Sequence, residues 1–323
     1  MDFSCPVIVT CEGLRRSSRI TWMSRTMPGS DDARTPRLAE RLEKHVRVLS
    51  ETIGERNLYC PTALADAADY IEQQWQVMEY EVVRQTYELQ DCRCSNLEVT
   101  RPGRHRPEEI LLIGAHYDSV FGSPGANDNG SGVAALLEMA RHLTNVEVDR
   151  TVRFVAFVNE EPPFYLSGEM GSMKYARAAR DRGDDIRLMV SLETIGYYSE
   201  RPGSQQYPPL FRYFYPDKGN FIAFVSNLRS RGMLRRFGEV FREHSQFPVE
   251  QLATFSFIPG VAWSDHSSFW RCGYRALMVT DTAFYRYPHY HAATDRADEL
   301  DYAALAAVTE GLEQAVISLA VSP

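Results

Sequence analysis

A histidine and two carboxylates stand close together in this chain. Gly114-Ala115-His116-Tyr117-Asp118 is followed, ten residues after Asp118, by Asp128-Asn129-Gly130-Ser131-Gly132. Three further acidic or imidazole positions follow apolar runs: Asn159-Glu160-Glu161, then Glu193, then a loop carrying His289 and His291. Such groups suit a divalent metal far better than a packed core. A two-metal hydrolase needs a carboxylate shared by both ions, further ligands on each, and a base for the attacking water. Asp128, in a Gly-rich turn, is the natural shared carboxylate. His116 and Glu193 complete one ion, and Glu161 with a histidine completes the other. His289 and His291 compete for that last place. The mixed N/O set without thiolate suits zinc and permits cobalt or manganese. Glu160 is left over beside a ligand and becomes the general base. Asp118, two residues from His116, is placed to accept the second ring N–H of that histidine and orient it.

These residues need a scaffold that gathers strand ends. Residues 110–113 form an apolar run leading into His116, and Val133, Leu136, Leu137 and Ala140 then recur at helical spacing. Residues 153–158, 188–192 and 276–279 read as further buried strands, each ending before a candidate ligand. In open α/β sheets, ligands collect past the carboxyl ends of the strands. Helices are expected near residues 38–49, 62–78, 168–182, 230–244 and 302–319, and strands at 80–83, 97–100 and 221–225. Residues 197–217 alternate prolines with aromatics, which reads as a long packed loop and a candidate pocket wall. Residues 1–35 read as a poorly structured arm, and 36–323 as a single catalytic domain.

Composition narrows the classes. The 323 residues suffice for a large α/β core. A net charge of −8 gives no reason to expect a nucleic-acid or anionic-membrane partner. No apolar run is expected to span a bilayer, and the start makes a poor secretory signal. Six scattered cysteines in a chain this size are expected to be free thiols, consistent with a cytoplasmic protein. His45, His105, His142 and His244 are expected at the surface. Ser264-Asp265-His266 contains triad residue types, but consecutive residues cannot take triad geometry, so a pocket role near a short helix is expected instead.

Taken together, residues 114–118, Gly125-Ala126-Asn127-Asp128-Asn129-Gly130-Ser131-Gly132, Asn159-Glu160-Glu161, Ser264-Asp265-His266 and His291-Ala292-Ala293-Thr294-Asp295 resemble the co-catalytic zinc aminopeptidases. That family includes bacterial leucyl and Streptomyces-type enzymes, and its clan holds the glutaminyl cyclases. The resemblance runs from about Leu38 to the C-terminus. It implies a three-layer α/β/α sandwich with a twisted, mostly parallel mixed sheet, two Zn2+ ions and a peptide substrate. It also implies His116, Asp128, Glu161 and His291 as ligands, Glu160 as base, His291 rather than His289, and a cis bond from Asp128 to Asn129. Two positions depart from the pattern. Glu193 stands where the family usually has Asp, and Pro162-Pro163-Phe164-Tyr165 is bulkier than the small stretch expected there.

The leading expectation is therefore a metal-dependent exopeptidase acting at the N-terminus of peptides. Competing readings are a single-zinc glutaminyl cyclase, a carboxypeptidase- or deacylase-like relative, and an inactive peptidase-like binding protein. The third usually carries a lid domain, for which residues 161–291 leave no room. Its carboxylate clamp would have to be Arg286, since Lys174 and Arg177 fall within a helix.

Overall fold

The computed structural model describes residues 34–321. The expected N-terminal arm lies almost wholly outside the described residues; its last two positions, 34 and 35, open the first helix instead. Seven α-helices are described: α1 Arg34–Arg47, α2 Pro61–Val77, α3 Gly132–Leu143, α4 Gly171–Arg182, α5 Arg231–His244, α6 His266–Arg271 and α7 Tyr302–Val321. Eight strands form one sheet: β1 Val83–Leu89, β2 Cys92–Arg101, β3 Arg106–His116, β4 Arg150–Phe157, β5 Asp185–Glu193, β6 Ile222–Asn227, β7 Val249–Thr254 and β8 Ala276–Thr280. Their order is β1-β2-β4-β3-β5-β8-β6-β7. The central four, β4-β3-β5-β8, are mutually parallel, and antiparallel pairings flank them.

Burial on both faces explains the unbroken apolar runs of the central strands. Ile110, Leu112 and Val155 face one side, where Tyr175 and Ala179 of α4 and Phe269 of α6 meet them. Leu111, Ile113 and Phe154 face the other, in the main core with α1, α2, α3, α5 and α7. This is the three-layer α/β/α sandwich expected. Over β6 and β7 the first face is covered differently. Phe221, Ala223 and Val225 pack against Tyr207, Ile258 and Val261 from two loops.

Some local expectations are corrected. The first hairpin begins at Val83, not residue 80, and turns at Gln90-Asp91, where φ is +49° and +61°. A two-residue hairpin turn needs this left-handed backbone, but the sequence lacks the usual Gly or Asn signal. The strand β7 was missed because its half-buried edge carries Glu250 and Gln251 within a short run. His45 is buried, not exposed. Its ring bonds Glu138 Oε1 of α3 at 3.0 Å and the Tyr70 hydroxyl at 2.7 Å, and these polar partners offset the cost of burial. Helix α7 is long and apolar enough to cross a membrane, contrary to expectation. Most of it lies in the core, and the buried Glu313 meets Arg34 at 2.5 Å. Cys60, Cys92, Cys94 and Cys272 are free.

Candidate metal centre

The parallel strands β4, β3, β5 and β8 carry their carboxyl ends to one rim. Chain order reverses around β3, with β4 on one side and β5 on the other, which is where a ligand crevice forms in an open α/β sheet. His116 is the last residue of β3 and Glu193 the last of β5. Glu160 and Glu161 follow β4, and His291 lies in the loop after β8. Asp128 sits in the turn ahead of α3, where Gly125 has a φ of +63° and the Asp128–Asn129 peptide is cis, as expected. A side chain at Gly132 would collide with the Asn129 carboxamide and the Leu192 carbonyl, so only glycine lets α3 begin this close to β5.

The six side chains meet in one cluster, buried except at His291, whose ring is open to the cavity. His116 Nε2 lies 3.4 Å from Asp128 Oδ1 and 3.3 Å from Glu193 Oε2. His291 Nε2 lies 3.1 Å from Asp128 Oδ2 and 3.2 Å from Glu161 Oε2. Each Asp128 oxygen therefore faces a different histidine and its accompanying glutamate. Glu160 stands apart, with its nearest approach to His116 at 4.0 Å. His289 is elsewhere, bonded to Thr294 and paired with Glu299.

The residues fit a metal. His116 Nε2, both Asp128 carboxylate oxygens and Glu161 Oε1 are buried without a hydrogen-bond partner, which is costly for groups that find no other ligand. Ligand atoms around a tetrahedral zinc, with bonds of about 2.1 Å, lie roughly 3.4 Å apart, close to the spacings in each half of the cluster. Carboxylates outnumber imidazoles, so the site calls for added positive charge. Burial pushes the Glu160 carboxyl well above the usual range and Glu161 up to about 8. Burial also opposes the charge of Asp128, yet the two flanking rings hold it below the ordinary range.

Supporting groups account for what the sequence reading missed. Asp118 does not chiefly orient His116. The ring Nδ1 faces the Asp118 backbone carbonyl at 3.2 Å, while the carboxylate is 3.6 Å away. The carboxylate instead accepts the backbone N–H groups of Glu160 and Glu161, at 3.2 and 3.1 Å, and fixes that pair. Ser264 donates to Glu193 Oε2 at 2.7 Å. Asp295 accepts the backbone N–H groups of Asn127 and Asp128. The Tyr290 ring stacks on His291 at 3.9 Å. Among these, Ser264 and Asp295 lay inside quoted motifs, whereas Tyr290 carried no signal beyond its place beside His291.

Arg56 is the largest omission. Its guanidinium is fully buried beneath the cluster and donates to the carbonyls of Tyr117, Pro124 and Gly125 at 2.6–2.8 Å. Burial lowers its pKa to about 10, opposed by Asp295, Asp118, Asp128 and Glu161. It ties the loop after β3 to the turn before α3 and supplies a cation under the carboxylates. Arg56→Met is expected to lower stability by on the order of 3–5 kcal/mol, since several carbonyls lose their donor together. An unchanged urea midpoint and slope would remove Arg56 from this role.

Residues 96–316 match peptidase family M28. The chain belongs to that family. Within it, the chain is 39% identical over 290 residues to the uncharacterized protein YfbL of Escherichia coli K12, covering 86% of this chain and 88% of that one. Among solved structures, BSAP, a zinc aminopeptidase from Bacillus subtilis, superposes with a TM-score of 0.70 at 16% identity, over 88% of this chain and 95% of its own. A Porphyromonas gingivalis glutaminyl cyclase superposes at 0.65 and 19% identity, over 86% and 97%. At such identities the likeness is one of fold, and M28 membership identifies a peptidase family without choosing between the two chemistries.

The cluster opens into a cavity whose near part is lined by Glu160, Glu161, Glu193, Trp263, Tyr290 and His291. Pro162 and Tyr165 stand at its edge, so the bulky segment after the glutamate pair shapes the entrance. Arg286 does not line it. Its guanidinium is buried, donates to Gln205 and to the Phe221 carbonyl, and lies 4.5 Å over the Phe221 ring. It braces the aromatic loop and is not placed to clamp a substrate carboxylate.

Proposed function

We propose that this protein is a metal-dependent aminopeptidase that hydrolyses the N-terminal residue of peptides, with two zinc ions held by His116, Asp128, Glu161, Glu193 and His291. The observation that carries this reading is the Asp128 carboxylate, whose two oxygens face two separate histidine–glutamate pairs. Two zinc ions sharing a carboxylate would polarise the scissile carbonyl and acidify water. Glu160, outside both pairs and open to the cavity, accepts a proton from the attacking water and returns it to the departing amine. Burial raises its carboxyl above the ordinary range, the direction that suits a proton acceptor. Asp118 holds the Glu160 and Glu161 backbones so that one side chain turns to the ligand cluster and the other to the substrate.

Polarity of attack follows from charge. A free α-amine needs acceptor oxygens, which Glu160 and Glu193 offer at the cavity wall. A C-terminal carboxylate needs a cation, and among the described residues no Lys, Arg or His lines either part of the cavity apart from His291, itself in the ligand set. A single-zinc cyclase would leave one of the two half-sites without a task. The complete set of candidate ligands and base argues against an inactive binding protein.

The test uses zinc-saturated protein and short peptides. Acetylating the substrate amine is expected to abolish cleavage, while amidating the far end leaves it intact. Release of the C-terminal residue from acetylated peptides would sink the reading. Ammonia release with pyroglutamate formation from N-terminal Gln peptides, without hydrolysis of other substrates, would favour the cyclase.

A further inference from the structure

Strand register draws a line from the metal centre across the sheet. Glu193 of β5 pairs with Thr280 of β8, Thr280 with Ala223 of β6, and Ala223 with Glu250 of β7. Laterally paired residues project from the same face. All four line one open cleft, which shares Glu193, Trp263, Phe284 and Tyr290 with the near part described above. Three strand spacings of roughly 4.8 Å separate the two glutamates by about 14 Å along this row. The residues between them are small. The next row on the same face supplies Met278, Val225 and Leu252 as an apolar ridge. The aromatic loop forms the opposite wall. Tyr207 and Tyr215 stack at 5.8 Å and 28°, and Phe211 and Tyr215 at 6.3 Å and 14°.

Glu250 is out of place in such surroundings. It is half-buried on an edge strand, and its carboxylate has no hydrogen bond or ion pair among the described residues. Arg242 exerts an attractive charge on it, but the Arg242 guanidinium donates to the Val249 carbonyl and forms no ion pair with Glu250. Among the described residues, no cationic side chain lines this part of the cavity. An apolar passage with flat aromatic walls and a lone carboxylate at its far end is complementary to a long aliphatic stem with a planar cationic head.

We propose that this groove receives the side chain of the substrate's N-terminal residue and that Glu250 makes the enzyme selective for arginine. The proposal rests on the aminopeptidase reading, because the α-amine must lie at the Glu160–Glu193 end. An extended arginine side chain reaches roughly 7 Å from Cα by ordinary bond lengths. With a charge-assisted hydrogen bond of about 2.8 Å at each end, it spans the row from the amine to Glu250. Lysine is shorter and has no plane to lay against the Tyr207–Phe211–Tyr215 wall. Leucine fills only the inner part and leaves the Glu250 carboxylate without a partner.

Two measurements test this on the zinc-loaded protein. The first compares kcat/KM for arginyl, lysyl and leucyl nitroanilides in the wild type and in Glu250→Gln. The arginine-to-leucine ratio is expected to exceed about 10 and to fall at least tenfold in the variant, a loss typical of one charge-assisted contact. The second follows binding of free arginine and free norleucine by calorimetry, with tighter arginine binding expected in the wild type alone. A ratio that Glu250→Gln leaves unchanged overturns the proposal while leaving the aminopeptidase reading in place. If no nitroanilide is cleaved, that reading fails, and the calorimetric comparison still decides the groove: equal binding of arginine and norleucine overturns it.

Discussion

Glu160→Gln is expected to keep its metal content and to lose roughly 10²–10⁴-fold in kcat. The substitution preserves shape and removes only the group that accepts a proton. Glu160 and Glu161 are neighbours in sequence but have opposite surroundings. Glu161 presents Oε2 to His291 at 3.2 Å, and its Oε1 is buried without a partner. Glu160 comes no nearer than 4.0 Å to a ring nitrogen and faces the cavity. Its carboxyl is raised by burial and by the charges of Glu193 and Glu161, against the pull of His116. A glutamine there leaves the metal cluster's own donors in place. Glu161→Gln, in contrast, should weaken metal binding itself. Steady-state kinetics and elemental analysis of both variants decide the matter: loss of metal in the first with retention in the second would exchange the two roles.

The contrast between these glutamates shows what a sequence can carry. The strand ends were legible because parallel strands buried on both faces must be apolar runs, so any charged residue at their carboxyl ends stands out. That argument located His116, Glu160, Glu161 and Glu193 at the strand ends of an open α/β sheet, while the three-layer sandwich came from the resemblance to the zinc aminopeptidases. The loop after β8 was harder. His289 and His291 are separated by one residue, and only the backbone, with a φ of +56° at His291, turns one ring toward Asp128 and leaves the other on Thr294. Periodicity has no purchase on such loops.

Groups that act through the backbone were the least visible. Arg56 reads as an ordinary loop arginine, because its partners are carbonyls that carry no residue signature. The two-residue separation of His116 and Asp118 suggested a ring contact, but the chain leaves the strand at His116, so alternation no longer governs where the Asp118 carboxylate points. Glu250 was hidden for a different reason. Its place opposite Glu193 depends on an antiparallel neighbour between β8 and β6 that no local pattern announces. The proposed selectivity therefore rests on strand register, while the proposed chemistry rests on motifs.

The strongest dependence on a single side chain is expected at Asp128. Zinc-saturated wild type should bind about two equivalents, and Asp128→Ala should bind less than one, with near-complete loss of peptide hydrolysis. The reason is shared use. His116 with Glu193, and His291 with Glu161, each supply one imidazole and one carboxylate, and both halves converge on the two oxygens of one residue. Removing any other candidate ligand depletes one half; removing Asp128 depletes both. The turn should survive the change. Asp295 bonds the backbone N–H of Asp128, Asn127 bonds Asp281, and Asn129 bonds the Leu192 carbonyl, none of which needs the Asp128 side chain. Circular dichroism should therefore match wild type, which separates lost metal from lost fold. His291→Ala is the control, expected to retain about one equivalent. An Asp128→Ala protein that keeps one full equivalent and normal activity would show that the carboxylate serves no shared role, and the two-ion reading would fall with it.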